Sequence, residues 1–139
     1  LANEILSKTK AIRIHGDCHL GNVLWSGRDN ESLSTFILDF DDSCMGPAVR
    51  VIWMVVRGRD ELADKSRQTL LAGYEQMREF NYEELKWIEL LRAMRIFHYA
   101  AWIAKRYDDP IFQHTFPDFP QSKNWNELAQ DLTEQLEYL

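Results

Sequence analysis

The chain has 139 residues, 45% of them apolar, with 5 Trp, 5 Tyr and 7 Phe, which is ample material for the core of one domain. Its formal net charge of -6 has the wrong sign for a nucleic-acid footprint, and no apolar run approaches the length of a membrane span. Two cysteines, Cys18 and Cys44, without CxxC or Cys/His spacing, argue against a disulfide scaffold or structural zinc and fit a reducing cytoplasm.

Residues 11–14, Ala-Ile-Arg-Ile, predict a short buried strand running into the polar loop His15-Gly16-Asp17-Cys18-His19-Leu20-Gly21-Asn22. Val23-Leu24-Trp25 is a second apolar run, and Ser26-Gly27-Arg28-Asp29-Asn30 has the chemistry of a turn. Thr35-Phe36-Ile37-Leu38 predicts a further strand ending at Asp39, so that a hairpin is flanked by acidic and polar loops. After Gly46-Pro47 the period changes: Pro47 suits a first helical turn, and Val49, Ile52, Trp53 and Val56 recur at helical spacing from Ala48 to Arg57.

Asp60 is placed to cap a helix reaching Glu79, with Leu62, Leu70, Leu71, Tyr74 and Met77 inward. Asn81 followed by Glu84 has the form of a capping box, opening a helix to Tyr107 whose wide apolar arc predicts a central, mostly buried position. The stretch from Asp109-Pro110 to Pro120 predicts an aromatic and proline-containing loop, after which Asn124 and Glu127 repeat the box and open a last helix. Strands first and helices after exclude an alternating βαβ plan and predict an α+β, mostly helical fold.

Asp17, Asn22 and Asp39 each follow or interrupt an apolar strand, which mounts them rigidly at loop positions. Two carboxylates and a carboxamide are hard oxygen donors, the kind Mg²⁺ takes in small number beside phosphates. The alternative for any one of them is a simple turn former; their combined spacing favours the site.

That spacing, H-G-D-C-H-L-G-N followed by L-D-F-D-D, resembles the kinase pattern of a catalytic Asp, an Asn five residues on and a downstream metal-binding Asp. With Gly in second place it is similar to the aminoglycoside and choline phosphotransferase superfamily. HGDCHLGNVLW, LDFDD and GPAV together resemble its bacterial stress response kinase A group, serine/threonine protein kinases. The resemblance covers residues 12 to about 57; the helical tail is compatible with it without being specific.

The resemblance implies a protein-kinase-like C-terminal lobe over 1–139, with a small β-hairpin carrying the catalytic and metal-binding loops. It implies Asp17 as the catalytic base. Asn22 and Asp39 would hold Mg²⁺ against the phosphates of ATP; of Asp41 and Asp42 one would assist a second metal, Asp41 first, and the other would cap the next loop. His15 would brace the loop. For His19 two readings stand, loop packing and contact with the nucleotide phosphates.

Three departures carry expectations of their own. Gly16 replaces the Arg that would pair with an activation-loop phosphate, so control by that route is not expected. Asp41 replaces the Gly of D-F-G, which disfavours a flip of that loop. Val51 stands where the family often carries an Asp that buttresses the catalytic loop. No glycine-rich loop and no strand Lys precede His15, so an N-terminal ATP-covering lobe is expected outside these residues, with an apolar patch where it would sit and no activity from this stretch alone.

The function expected is ATP- and Mg²⁺-dependent phosphoryl transfer to a hydroxyl, on serine or threonine of a protein first. The alternatives are a small-molecule kinase of homoserine, choline or aminoglycoside type, and a non-catalytic pseudokinase or binding lobe. The expected partners are ATP, the hydroxyl acceptor and the missing lobe, with neither nucleic acid nor membrane. His98 reads as a core histidine, and Trp53, Trp87, Trp102 and Trp125 as core. For Cys18, beside the proposed base, the readings are an oxidant sensor and, more commonly, a small buried filler.

Overall fold

The computed structural model describes residues 9–26 and 34–139. The turn expected at 27–30 lies outside the described residues. The chain groups into two compact units, 1–88 and 89–139.

The first unit begins with four short strands, β1 (Ile12–Ile14), β2 (Val23–Ser26), β3 (Ser34–Ile37) and β4 (Cys44–Gly46). They form two antiparallel ladders. β1 pairs with β4, Ile12 opposite Gly46 and Ile14 opposite Cys44, while β2 pairs with β3, Val23 opposite Ile37. The three expected strands are present. The fourth, β4, is a three-residue segment with no alternation for a period-two pattern to register, and its pairing depends on β1 far upstream.

Helix α1 runs from Val49 to Val55, two residues short of the expected ends at its C-terminal side, and buries Val49, Ile52, Trp53 and Met54. Helix α2 (Glu61–Glu75) starts as expected: the Asp60 carboxylate accepts the amide of Ala63 at 2.8 Å, meeting one of the orphan donors of the first turn. Two of its expected inward residues are not inward. Leu62 is 71% exposed because the buried stripe passes through Ala63 and Leu71 instead, and Met77 is 95% exposed because the helix has already ended at Glu75.

The capping box at Asn81 does not form. Asn81 accepts the amide of Glu83, while the Glu84 carboxylate, 4% exposed, accepts the amide of Val49 and so caps α1 from 35 residues away. With that reciprocal bond spent elsewhere, Tyr82–Trp87 winds as a 3₁₀ segment, and α3 follows at Ile88–Arg106.

The second unit holds the rest of α3 with α4 (Pro110–Thr115) and α5 (Ser122–Leu136). The loop expected at 109–120 contains α4: Asp109 accepts the amide of Ile111 and Pro110 fills the first helical position, where its missing N–H costs nothing. The second capping box is absent too, since α5 starts at Ser122 and the Asn124 amide donates back to the Phe119 carbonyl at 3.4 Å. Ala93, Ile103 and Phe119 are buried, and Trp102 packs on Phe112 with ring centroids 4.9 Å apart. The apolar arc of α3 exceeds what α4 and α5 cover, so Phe97 and Tyr99 are exposed. His98 is exposed as well, which corrects its reading as a core histidine.

Candidate active site

The two ladders are nested. Chain leaves β1 at Ile14, passes through 15–22 into β2, returns along β3 and crosses 38–43 into β4. Both loops therefore span the same interval between one ladder and the other, and each is anchored at both ends. The link between them is direct: the Leu38 amide donates to the Asn22 carbonyl at 2.9 Å, which sets Asp39 next to the end of the first loop.

His15 ties the loops from below. It is buried, its Nε2 lies 2.7 Å from the Leu38 carbonyl and its Nδ1 accepts the Asp17 amide at 3.3 Å. Those partners fit one neutral tautomer, with the proton on Nε2. The Phe40 ring packs on the imidazole at a centroid separation of 4.7 Å. Next to it, Gly16 has φ +85°, and its Cα faces the Asp42 carbonyl so closely that a Cβ could not be accommodated. That is a physical reason for Gly at this position.

Asp17 is half-buried at the head of the loop. Its carbonyl accepts the His19 amide at 2.8 Å and the Asn22 side-chain amide at 3.1 Å. His19 caps the 3₁₀ turn Leu20–Asn22: Nδ1 accepts the Gly21 amide at 3.0 Å, so the ring proton sits on Nε2, 3.6 Å from Asp17 Oδ2. Cys18 is buried behind them, and burial, with the neighbouring Asp17 charge second, pushes its thiol pKa up, as expected of a filler and not of a reactive thiolate.

Asp17, His19 and Asn22 are thus brought together by hydrogen bonds and close approach, and Asp39 adjoins them through Leu38. Asp39 carries φ +61°, a backbone state that Asp tolerates better than most residues and that recurs at functional loops. Asp41 and Asp42 are exposed in the turn that follows, which the Ser43 amide closes on the Phe40 carbonyl at 3.0 Å.

A hard cation fits this donor set. Asn22 uses its side-chain nitrogen on the Asp17 carbonyl, which leaves Oδ1 as the end that could face a cation, and Asp39 and Asp41 offer exposed carboxylates. Among the described residues no group of three or more His, Cys, Asp or Glu closes around a metal position. Mg²⁺ takes one or two protein carboxylates and completes its shell with phosphate oxygens and water.

One member of the site was not singled out by sequence. Arg50, in the first turn of α1, donates through Nη2 to the Gly16 carbonyl at 3.1 Å and through Nη1 to Cys44 Sγ at 3.5 Å. An arginine between buried Val49 and Ile52 reads as a solvated helix position, and no spacing rule points it at a loop 34 residues away.

Separately, α3 and α5 of the second unit flank a cleft of about 280 Å³, walled by Ile96, Ile103, Phe119 and Leu128 with Asn124, Glu127 and Asp131 among its polar members; it contains none of the candidate site residues.

The model of the phosphotransferase enzyme family matches residues 1–88, the same residues as the first unit. Over 128 residues the chain is 38% identical to "Stress response kinase A" of Escherichia coli (strain K12) and 37% identical to the protein of that name in Salmonella typhi. It is also 37% identical to "Serine/threonine protein kinase RdoA" of Salmonella typhimurium (strain LT2). Each alignment covers 92% of this chain and 37% of the relative, so the chain spans little more than a third of the curated relatives it matches.

Proposed function

This chain belongs to the phosphotransferase enzyme family, and from that premise we propose that it supplies the catalytic loops of an ATP- and Mg²⁺-dependent kinase whose acceptor is a hydroxyl, serine or threonine of a protein first. The observation that carries the reading is the nesting of the ladders, with the 2.9 Å bond from Leu38 to Asn22 bringing the Asp39 segment to the Asp17 loop. The protein-serine/threonine acceptor is supported by the name of the Salmonella typhimurium relative. Among the described residues no helix is long and apolar enough to cross a membrane, and we place the kinase in the reducing cytoplasm that its two free cysteines fit.

In this reading Asp17 accepts or orients the proton of the attacking hydroxyl while the bond to the γ-phosphorus forms and the bond to the β-phosphate oxygen breaks. Asn22 Oδ1 and the carboxylates of Asp39 and Asp41 hold the cation, which when bound neutralises charge on the phosphates. His19 caps the loop, steers the Asp17 carboxylate and is the candidate for phosphate contact through Nε2. Positioning and charge are nearly all that phosphoryl transfer asks of a protein.

The test uses the complete protein. Asp17→Ala should lower kcat by about 10²–10⁴-fold with nucleotide affinity nearly intact. Asp39→Ala should weaken Mg²⁺-dependent nucleotide binding as well as rate. Calorimetry beside steady-state transfer separates the two; near-normal turnover by Asp17→Ala would refute Asp17 as the base, and nucleotide binding by the complete protein with no turnover at all would favour a pseudokinase. Turnover on a free amino alcohol with none on protein would move the acceptor to the small-molecule class.

A further inference from the structure

We infer that Arg50 is a positioning residue for Asp17, acting from α1 through the peptide group that joins Gly16 to Asp17; the inference rests on the phosphotransferase reading above. The Gly16 carbonyl and the Asp17 amide are opposite ends of one planar peptide unit. Arg50 Nη2 donates to the carbonyl end at 3.1 Å, and His15 Nδ1 accepts from the amide end at 3.3 Å. With both ends held, rotation of that peptide plane is blocked, and the plane sets the direction in which the Asp17 side chain leaves the backbone.

A clamp is needed here because the residue before Asp17 is glycine. Gly16 sits at φ +85° under the Asp42 carbonyl, so no other residue fits, yet glycine is the residue that least resists a change of ψ. The geometry that demands Gly16 also leaves the Asp17 loop soft at its most sensitive point. Arg50 removes the softness from outside the loop.

The mount is itself fixed. Val49, Ile52 and Met54 are all buried, Glu84 caps the helix at Val49, and the second arm of the guanidinium reaches Cys44 Sγ on β4, opposite Ile14, the last residue of β1 before His15. The planar fork is what permits two targets from one side chain. Beside it stands Val51, which has no polar group to offer the loop, so on this helix the hydrogen bond to the loop comes from a cation.

Arg50→Met, Arg50→Lys, Asp17→Asn and the double variant Asp17→Asn/Arg50→Met of the complete protein test this by transfer kinetics and nucleotide calorimetry. Arg50→Met is expected to lower kcat about 10- to 100-fold, the scale of a misplaced catalytic group, with the dissociation constant for ATP changed by no more than about twofold. Arg50→Lys, which keeps the charge and one donor, should recover part of the loss. In the Asp17→Asn background, removing Arg50 should cost almost nothing more, because a residue that acts through Asp17 has nothing left to position. Wild-type turnover by Arg50→Met, an equal loss of nucleotide affinity, or a fully additive loss in the double variant would overturn the inference. Should Arg50→Met fail to fold, Arg50→Lys carries the comparison: an intermediate loss confined to kcat supports the clamp, and unchanged kcat refutes it. Full turnover by Asp17→Asn would overturn the catalytic reading itself, and the inference with it.

Discussion

At Gly16 a single hydrogen atom in place of a side chain decides whether the two loops can approach. Its positive φ and the Asp42 carbonyl over its Cα exclude any Cβ without a shift of one loop. Gly16→Ala in the complete protein is therefore expected to cost at least about 1–3 kcal/mol in unfolding free energy from backbone strain alone, read from the urea midpoint at constant m-value. The same substitution should lower kcat, because any displacement moves Asp17. An unchanged midpoint would mean that the loops do not press together at this point. The spacing of His15, Asp17 and Asn22 was legible as a motif, and so was the presence of glycine within it. What glycine does there was not, because the atom that forbids a side chain belongs to residue 42.

Among the elements, α1 shows how a local pattern can be right about composition and wrong about partners. Asn81 and Glu84 have the letters of a capping box, but the Glu84 carboxylate is buried on the amide of Val49. Replacing Glu84 by Ala leaves that buried amide without its acceptor and should destabilise the first unit by about 1–3 kcal/mol in denaturant unfolding of the complete protein. Glu84→Gln keeps an acceptor and gives up only the charge at a helix N-terminus, so its cost should stay below about 1 kcal/mol. Equal losses for the two variants would show that charge, not the hydrogen bond, is what α1 requires. By contrast the cap at Asp60 uses a partner three residues away, and that signal survives into the structure, while the equally local Asp109-Pro110 start of α4 falls in a stretch whose prolines and aromatics read as a loop. The apolar arc of α3 told of burial that three helices of the second unit do not deliver, since a helix can only hide the faces its neighbours reach.

For the molecule as a whole, the family match and the site both fall within residues 1–88, and the second unit carries a cleft of its own. No glycine-rich loop and no strand Lys stand ahead of His15 in these 139 residues. We expect the 139-residue chain by itself to show no measurable phosphate transfer from ATP, under conditions in which the complete protein does; robust turnover by the isolated chain would mean that the phosphates are held by other groups than those named here. The sequence by itself determined the order of strands before helices and the family, because period and motif spacing are properties of covalent neighbours. Only the tertiary structure decided that β4 closes the nest on β1, that Glu84 serves Val49 across 35 residues, and that Arg50 reaches Gly16 across 34. Those contacts join groups that no local spacing relates, and their partners become defined only when the chain has folded back on itself.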